Sequence, residues 1–173
     1  MTGWDISFRE LEVDDLRLMH EWLQRPHVRR WWDKHETYDD VAAHYVPSIE
    51  GRRPTDLNLI LLDDRPVGFI QKYVVSDHPE YAARVGVGAG VAGVDLFLAD
   101  EELTGQGLGT RVLDAFVRDV VFANAGVTAC IADPDVRNTA SIRAFEKAGF
   151  HRVGEFFDPS DGERHALVRL ERV

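Results

Sequence analysis

VAGVDLFLADEELTGQGLGT, residues 91 to 110, is the stretch whose reading decides the fold. Side chains alternate between the two faces of a strand, yet in Val94-Asp95-Leu96-Phe97-Leu98 both faces are apolar except at Asp95, so this strand reads as central and buried. A carboxylate in such a strand calls for a use, because a buried charge is costly when it has none. The following Gly105-Gln106-Gly107-Leu108-Gly109 lets the backbone approach a ligand closely, and it stands where a helix would present unpaired N–H groups to an anion. Strand, glycine loop and helix start together make a phosphate cradle beside a buried acid.

Working outward toward the C-terminus, Val112, Leu113, Phe116, Val117, Val120 and Val121 recur at helical spacing and give one face for packing on a sheet. Val127 to Ala132 reads as the next strand, closed by Asp133-Pro134. Asn138 to Ala148 follows as an amphipathic helix with Ile142 and Phe145 inward and Gly149 as a left-handed cap. Two strands, Phe150 to Phe157 and Arg164 to Leu170, flank the turn Asp158-Pro159-Ser160-Asp161-Gly162.

Toward the N-terminus, Ile6 to Leu11 alternates as a first strand. Asp14 is expected to cap a helix with the stripe Leu16, Met19 and Leu23, stopped by Pro26. The pair Trp31-Trp32 falls in a loop, and Thr37 with Asp40 predicts the cap of a second helix through Tyr45 that ends near Pro47. Asp14, Asp15, Asp39 and Asp40 read as solvated acids at helix starts. Leu57–Leu62 and Val67–Val75 are strands joined by a hairpin turn at Asp63-Asp64-Arg65-Pro66, and residues 76 to 90 read as a mobile flap.

The chain of 173 residues, 45% hydrophobic and 29% charged, suits one soluble domain. Its net charge of -10 opposes nucleic-acid binding and favours a neutral or cationic small partner. No apolar run reaches the roughly 20 residues of a membrane span and no signal-peptide pattern opens the chain, so the expected place is the cytoplasm, without membrane association. Cys130 sits in an apolar run as a buried structural thiol. The seven histidines show no metal-ligand spacing, and no metal is expected.

The predicted order β-α-α-β-β-β-α-β-α-β-β, the glycine loop after the fourth strand, and Asn138-Thr139-Ala140-Ser141-Ile142-Arg143-Ala144-Phe145-Glu146-Lys147-Ala148-Gly149-Phe150 near the end resemble the GCN5-related N-acetyltransferase (GNAT) superfamily over nearly the whole chain. The resemblance implies a single α/β (α+β) domain over residues 1–173. Its sheet would be mixed, mostly antiparallel and twisted, with about seven strands, splayed at the fourth and fifth and flanked by four helices. It implies acetyl-CoA as cosubstrate. Leu96, Phe97 and Leu98 would pair with the pantetheine arm, and Gly105, Gln106, Gly107, Leu108, Gly109 and Thr110 would hold the pyrophosphate. Asn138, Phe145 and Lys147 of the later motif would stand beside the thioester. At Phe145 many relatives carry a Tyr that protonates the departing thiolate.

Within the superfamily, Glu21-Trp22-Leu23, Trp31-Trp32, Tyr45-Val46-Pro47-Ser48, Pro66-Val67-Gly68, Gln71 with Tyr73, Gly93-Val94-Asp95, Gly107-Leu108-Gly109-Thr110 and Asp133-Pro134 are similar to aminoglycoside 6'-N-acetyltransferases. That likeness implies Trp32, Tyr45 and Gln71 around the acceptor, with Asp95 and Asp133 on its amines. Physics agrees on Asp95: an attacking amine must be neutral, so a carboxylate near the acyl carbon can steer the ammonium and take its proton. A backbone N–H around Leu96 to Phe97 would meet the oxyanion. The partners implied are a cationic aminoglycoside and coenzyme A, with a monomer or homodimer both open. Two alternatives are a GNAT acyltransferase for a siderophore precursor or another small amine, and a non-catalytic domain that sequesters acyl-CoA or drug.

Overall fold

The computed structural model describes residues 3–173. Its first half contains β1 (Ile6–Glu10), α1 (Leu16–Gln24), α2 (Pro26–Arg29), α3 (Tyr38–Ile49), β2 (Thr55–Leu62), β3 (Arg65–Val74) and α4 (Pro79–Val85). Then come β4 (Val91–Leu98), α5 (Leu108–Phe116), β5 (Ala129–Ala132), α6 (Thr139–Lys147), β6 (His151–Asp158) and β7 (Glu163–Glu171). The seven strands form one sheet in the order β1-β2-β3-β4-β5-β7-β6. β4 and β5 run parallel, while β1 with β2, β5 with β7, and β6 with β7 are antiparallel. The expected mixed sheet is therefore formed, and the short α2 and α4 add to the four expected helices.

Packing divides the chain into two compact units whose boundaries cut through β3 and β4. One runs to Gln71 and takes in Leu96–Leu103; the other comprises Lys72–Asp95 and Thr104–Val173.

In the first unit, Leu16, Met19, Trp22 and Leu23 of α1 and Val41 and Tyr45 of α3 bury against Leu57, Leu59, Phe69 and Phe97. The α1 stripe is the predicted one, but its start differs. Asp14 does not cap it: a tight turn over Val13–Asp15 precedes α1, and there the Glu12 N–H donates to Asp15 Oδ2 at 2.8 Å. Asp15 also pairs with Arg9 at 3.0 Å, so it is not merely solvated. Pro26 opens α2, where its fixed φ suits a first helical position. Thr37 and Asp40 form the predicted capping box, but α3 passes through Pro47 to Ile49. A proline removes only its own donor, and the Pro47 carbonyl beyond it accepts from Arg52 N–H at 2.7 Å, so the last turn closes. The hairpin turn is tight, with Asp63 at φ 49° and Asp64 at φ 64°, a left-handed pair that matches the twist of its strands.

In the second unit, Val75, Val91, Ala129, Ile131 and Leu167 form a core against which Tyr73, Tyr81, Ala82, Val85, Val87 and Phe156 pack. Residues 76 to 90, read from composition as a mobile flap, contain a helix packed on this core. Pro79 at the start of α4, left-handed Gly86 at its end and the apolar positions Tyr81, Ala82 and Val85 specify a helix with one buried face. Leu108, Val112, Leu113 and Phe116 of α5 and Ile142 and Phe145 of α6 are also buried. Val117–Val121 continues α5 as a wide π-type turn that keeps Val117 and Val121 buried.

Candidate functional site

β4 and β5 pair in parallel through Val91 with Ala129, Ala92 with Cys130, and Gly93 with Ile131. Two residues further along each chain stand Asp95 and Asp133. Because side chains alternate, these two carboxylates share the face that carries Val91, Gly93, Ala129 and Ile131. The Asp133 side chain is only 15% exposed. Burial pushes its carboxyl well above the usual range, and the nearby Asp95 charge pushes it further the same way. Asp95 itself is half-buried rather than buried as its strand predicts, and its charge beside Asp133 disfavours ionisation of both at once.

Two tyrosines close the same face. The Tyr73 ring lies across Gly93, where an added Cβ would stand 2.6 Å from the Tyr73 oxygen, so only glycine admits the ring. Burial, then Asp95, raises the Tyr73 hydroxyl far above its ordinary value, and burial, then Asp133, does the same for Tyr81. Both hydroxyls stay protonated. Tyr81 Oη is enclosed with no partner at hydrogen-bonding geometry; its polar neighbours are the Tyr73 hydroxyl and the Asp133 carboxyl.

His165 on β7 holds Asp133 from behind. Its Nδ1 lies 2.6 Å from the Asp133 carbonyl oxygen and 3.8 Å from Asp133 Oδ2, while its Nε2 lies 2.7 Å from Asp161 Oδ2. Both ring nitrogens face acceptors, an arrangement that favours the doubly protonated ring. Burial opposes that charge, but the bonds to Asp133 and Asp161 outweigh it and raise the imidazole above its usual value. The bonds from Ala166 N–H to the Pro134 carbonyl and from Val136 N–H to the Arg164 carbonyl tie the segment after Asp133 to β7.

In the glycine loop, Gly105 (φ 72°) and Gly107 (φ 83°) are left-handed, Gly105, Gln106 and Gly107 are exposed, and Gly107 is the N-cap of α5. The loop therefore sets an exposed, glycine-rich backbone at a helix start, where an anion is favoured. Leu108 is buried and anchors the helix; Gly109 and Thr110 are half-buried in its first turn. Asn138 caps α6 by accepting from Ser141 N–H at 3.2 Å, a structural use of its side chain. Phe145 is buried edge-on to Phe150 at 5.1 Å, and Lys147 is exposed in the last turn of α6.

In the first unit, Trp32 packs edge-on against Phe97 at 5.0 Å and Phe69 at 5.9 Å, and its Nε1–H donates to Tyr45 Oη at 3.2 Å. Tyr45, expected to line the acceptor, is 1% exposed. Its ring is taken by the core, so it supports Trp32 and does not form an open wall. Gln71 is half-buried on β3. Leu96 and Leu98 are half-buried and Phe97 is buried, and the Leu98 carbonyl lies 3.0 Å from His27 Nε2. Cys130 is fully buried and burial raises its thiol, which removes it as a nucleophile, as its apolar run predicts.

Comparison with known proteins bears on this arrangement. A family model described as an acetyltransferase (GNAT) domain matches residues 12–157. The chain belongs to the GNAT acetyltransferase family. It is 33% identical over 171 residues to the aminoglycoside N(6')-acetyltransferase type 1 of Klebsiella pneumoniae, covering 97% of this chain and 84% of that protein. The structure of AAC(6')-Ib in complex with paromomycin and acetyl-CoA is similar with a TM-score of 0.85 and 30% identity, over 97% of this chain and 94% of that one. The lysine N-acyltransferase MbtK of Mycolicibacterium paratuberculosis is 25% identical over 174 residues, covering 95% of this chain and 73% of that protein.

Against the GNAT pattern, sequence reasoning missed two residues of the acidic face, Tyr81 and His165. Tyr81 lay in the supposed flap, and His165 lay in an ordinary alternating strand. The only legible signals were the i, i+3, i+4 spacing of Tyr81 with Arg84 and Val85, and the spacing Asp161 to His165 across a turn. No helix among the described residues is long and apolar enough to cross a membrane.

Proposed function

We propose that this acetyltransferase uses acetyl-CoA to acetylate the 6'-amine of aminoglycosides, in a single catalytic domain, by direct attack within a ternary complex, and that it confers resistance to them. The observation that carries this reading is the acid pair Asp95 and Asp133, set two residues beyond the last paired positions of β4 and β5. Support also comes from the relatives, an aminoglycoside N(6')-acetyltransferase and an AAC(6')-Ib structure that holds paromomycin and acetyl-CoA.

The chemistry follows from the groups present. An aminoglycoside arrives as an ammonium, drawn by the two carboxylates. Asp95, the more central acid, accepts the ammonium proton; the freed amine nitrogen bonds to the acetyl carbon, the C–S bond breaks to release coenzyme A thiolate, and the second nitrogen proton leaves to solvent as the amide forms. Asp133, biased toward its protonated form, holds a further amine or hydroxyl by hydrogen bonds, and the Tyr73 and Tyr81 hydroxyls donate on the same face. Backbone N–H groups of Leu96 and Phe97 meet the oxyanion, and the amides of Gly105 to Thr110 take the pyrophosphate. With Phe145 in place of a tyrosine acid, solvent protonates the thiolate, which is a tolerable leaving group. The family resemblance also assigns Trp32 and Gln71 to the acceptor.

The test is thiol release from acetyl-CoA with kanamycin or tobramycin, with mass spectrometry of the product. Release above background and a single 6'-acetyl group is the expected result; no release with any aminoglycoside removes the reading. A second reading, acylation of a lysine-type amine, has one specific support in the likeness to MbtK. Release with hydroxylysine or lysine but not with aminoglycosides would put that reading first.

A further inference from the structure

Outside the acidic face, three side chains of the first unit converge without any purpose the acyl transfer gives them. Asp33 and His35 lie on the loop between α2 and α3, and His44 lies on α3. One ligand atom from each comes within 4.8 Å of the others. The two imidazole rings face one another with centroids 4.6 Å apart and planes 34° apart, and His44 is braced edge-on by Tyr45 at 4.6 Å.

Hydrogen bonds and an ion pair fasten the loop at His35 and Glu36. The His35 carbonyl accepts from Gln24 Nε2 at 2.6 Å, the Glu36 carbonyl lies 3.0 Å from His20 Nε2, and the Glu36 carboxylate takes Arg29 at 2.9 Å. His35 Nε2, by contrast, is buried with no hydrogen-bond partner. A buried ring nitrogen left unpaired inside an otherwise satisfied network points to a partner that the protein itself does not supply.

We propose that Asp33, His35 and His44 bind one late first-row divalent cation of the Zn2+ type. Two imidazoles and one carboxylate are ligands such ions prefer, and with metal–ligand bonds of about 2.0–2.2 Å a tetrahedral set brings its donors to about 3.4 Å of one another. The exposed carboxylate of Asp33, on the loop, can close that remaining distance. The fourth position stays open to water. The ion would clamp the loop that carries Trp32 onto α3, a structural role that stands whatever the acceptor of the acyl transfer proves to be.

The other group of this kind, Asp158, Asp161 and His165, is a poor competitor although its donors are also close. Both nitrogens of His165 are already committed to the Asp133 carbonyl and the Asp161 carboxylate, so no lone pair faces an ion.

The test is calorimetric titration of chelator-treated full-length protein with Zn2+, together with Co2+ as a spectroscopic substitute. One ion per chain and visible ligand-field bands from Co2+ are expected. His35→Gln and His44→Gln should each weaken binding by roughly 10–100-fold, Asp33→Asn should weaken it less, and Asp161→Asn should leave it in place. In the unaltered protein, Zn2+ should move the NMR ring signals of His35 and His44 and not those of the other histidines. Absence of saturable binding overturns the proposal, as does binding that moves other histidines or survives both His replacements.

Discussion

At the scale of single residues, the acids on β4 and β5 carry opposite lessons about what a sequence reveals. Asp95 stands out because one charge interrupts an apolar strand. Asp133 before a proline is indistinguishable from a turn residue until β5 lays it in register with Asp95. Its raised carboxyl has a consequence for stability. Between the ordinary aspartate value of about 3.9 and the raised folded value, the folded chain binds more protons than the unfolded one, so this group costs stability as pH rises through that window. Asp133→Asn removes that cost. We expect the variant to be more stable than the parent at pH 8 by on the order of 1 kcal/mol, with the gap closing near pH 4, as read from thermal midpoints at both pH values. A variant less stable at pH 8 would mean that the contacts with His165 sustain the Asp133 carboxylate. Gly93 is the second test at this scale. Gly93→Ala drives a methyl into the Tyr73 ring and should cost about 1–3 kcal/mol, most of it recovered when Tyr73→Leu is added. Simple additivity of the two changes would contradict the packing described.

At the scale of elements, what was legible depended on whether one periodicity or one cap settled the choice. The α1 stripe, the Thr37–Asp40 box and the Gly149 cap are local signals, and each formed as read. The stretch from 76 to 90 was misread because glycine and proline composition outweighed three apolar positions in one turn, and only packing on Val75, Val91 and Ile131 makes α4 worth forming. Pro47 misled for the opposite reason, since a strong local breaker is tolerated where the turn beyond it finds other donors. The glycine loop was readable as a cradle because its residue types leave few other uses. There, Gly107→Ala places a Cβ on a left-handed residue at φ 83°, a strain of about 1–2 kcal/mol. A loop that shifts to relieve that strain loses its shape for the anion, so coenzyme A binding should weaken by up to roughly 5- to 30-fold in calorimetry, with little change in acceptor KM. Unchanged coenzyme affinity would remove the loop from the cofactor site.

At the scale of the whole molecule, the charge of -10 is visible in the sequence alone and limits the partners more than any single motif does. It should steer a polycationic acceptor. Raising salt from about 0.01 M to about 1 M shortens the Debye length from about 30 Å to about 3 Å, so kcat/KM for an aminoglycoside should fall several-fold. The KM for acetyl-CoA, itself an anion, should not rise in step. Parallel weakening of both substrates would point to a general salt effect instead. The sequence also supplied the order of elements along the chain, yet not the order of strands in the sheet or the register of β4 with β5, which places the two acids two residues beyond Gly93 and Ile131. The most direct measurement is therefore single-turnover thiol release by Asp95→Asn beside the parent, with coenzyme A affinity measured on the same samples. The expected result is a chemical step slowed by about 10²–10⁴-fold with coenzyme binding intact. A variant that releases thiol at the parental rate would contradict the role given to Asp95.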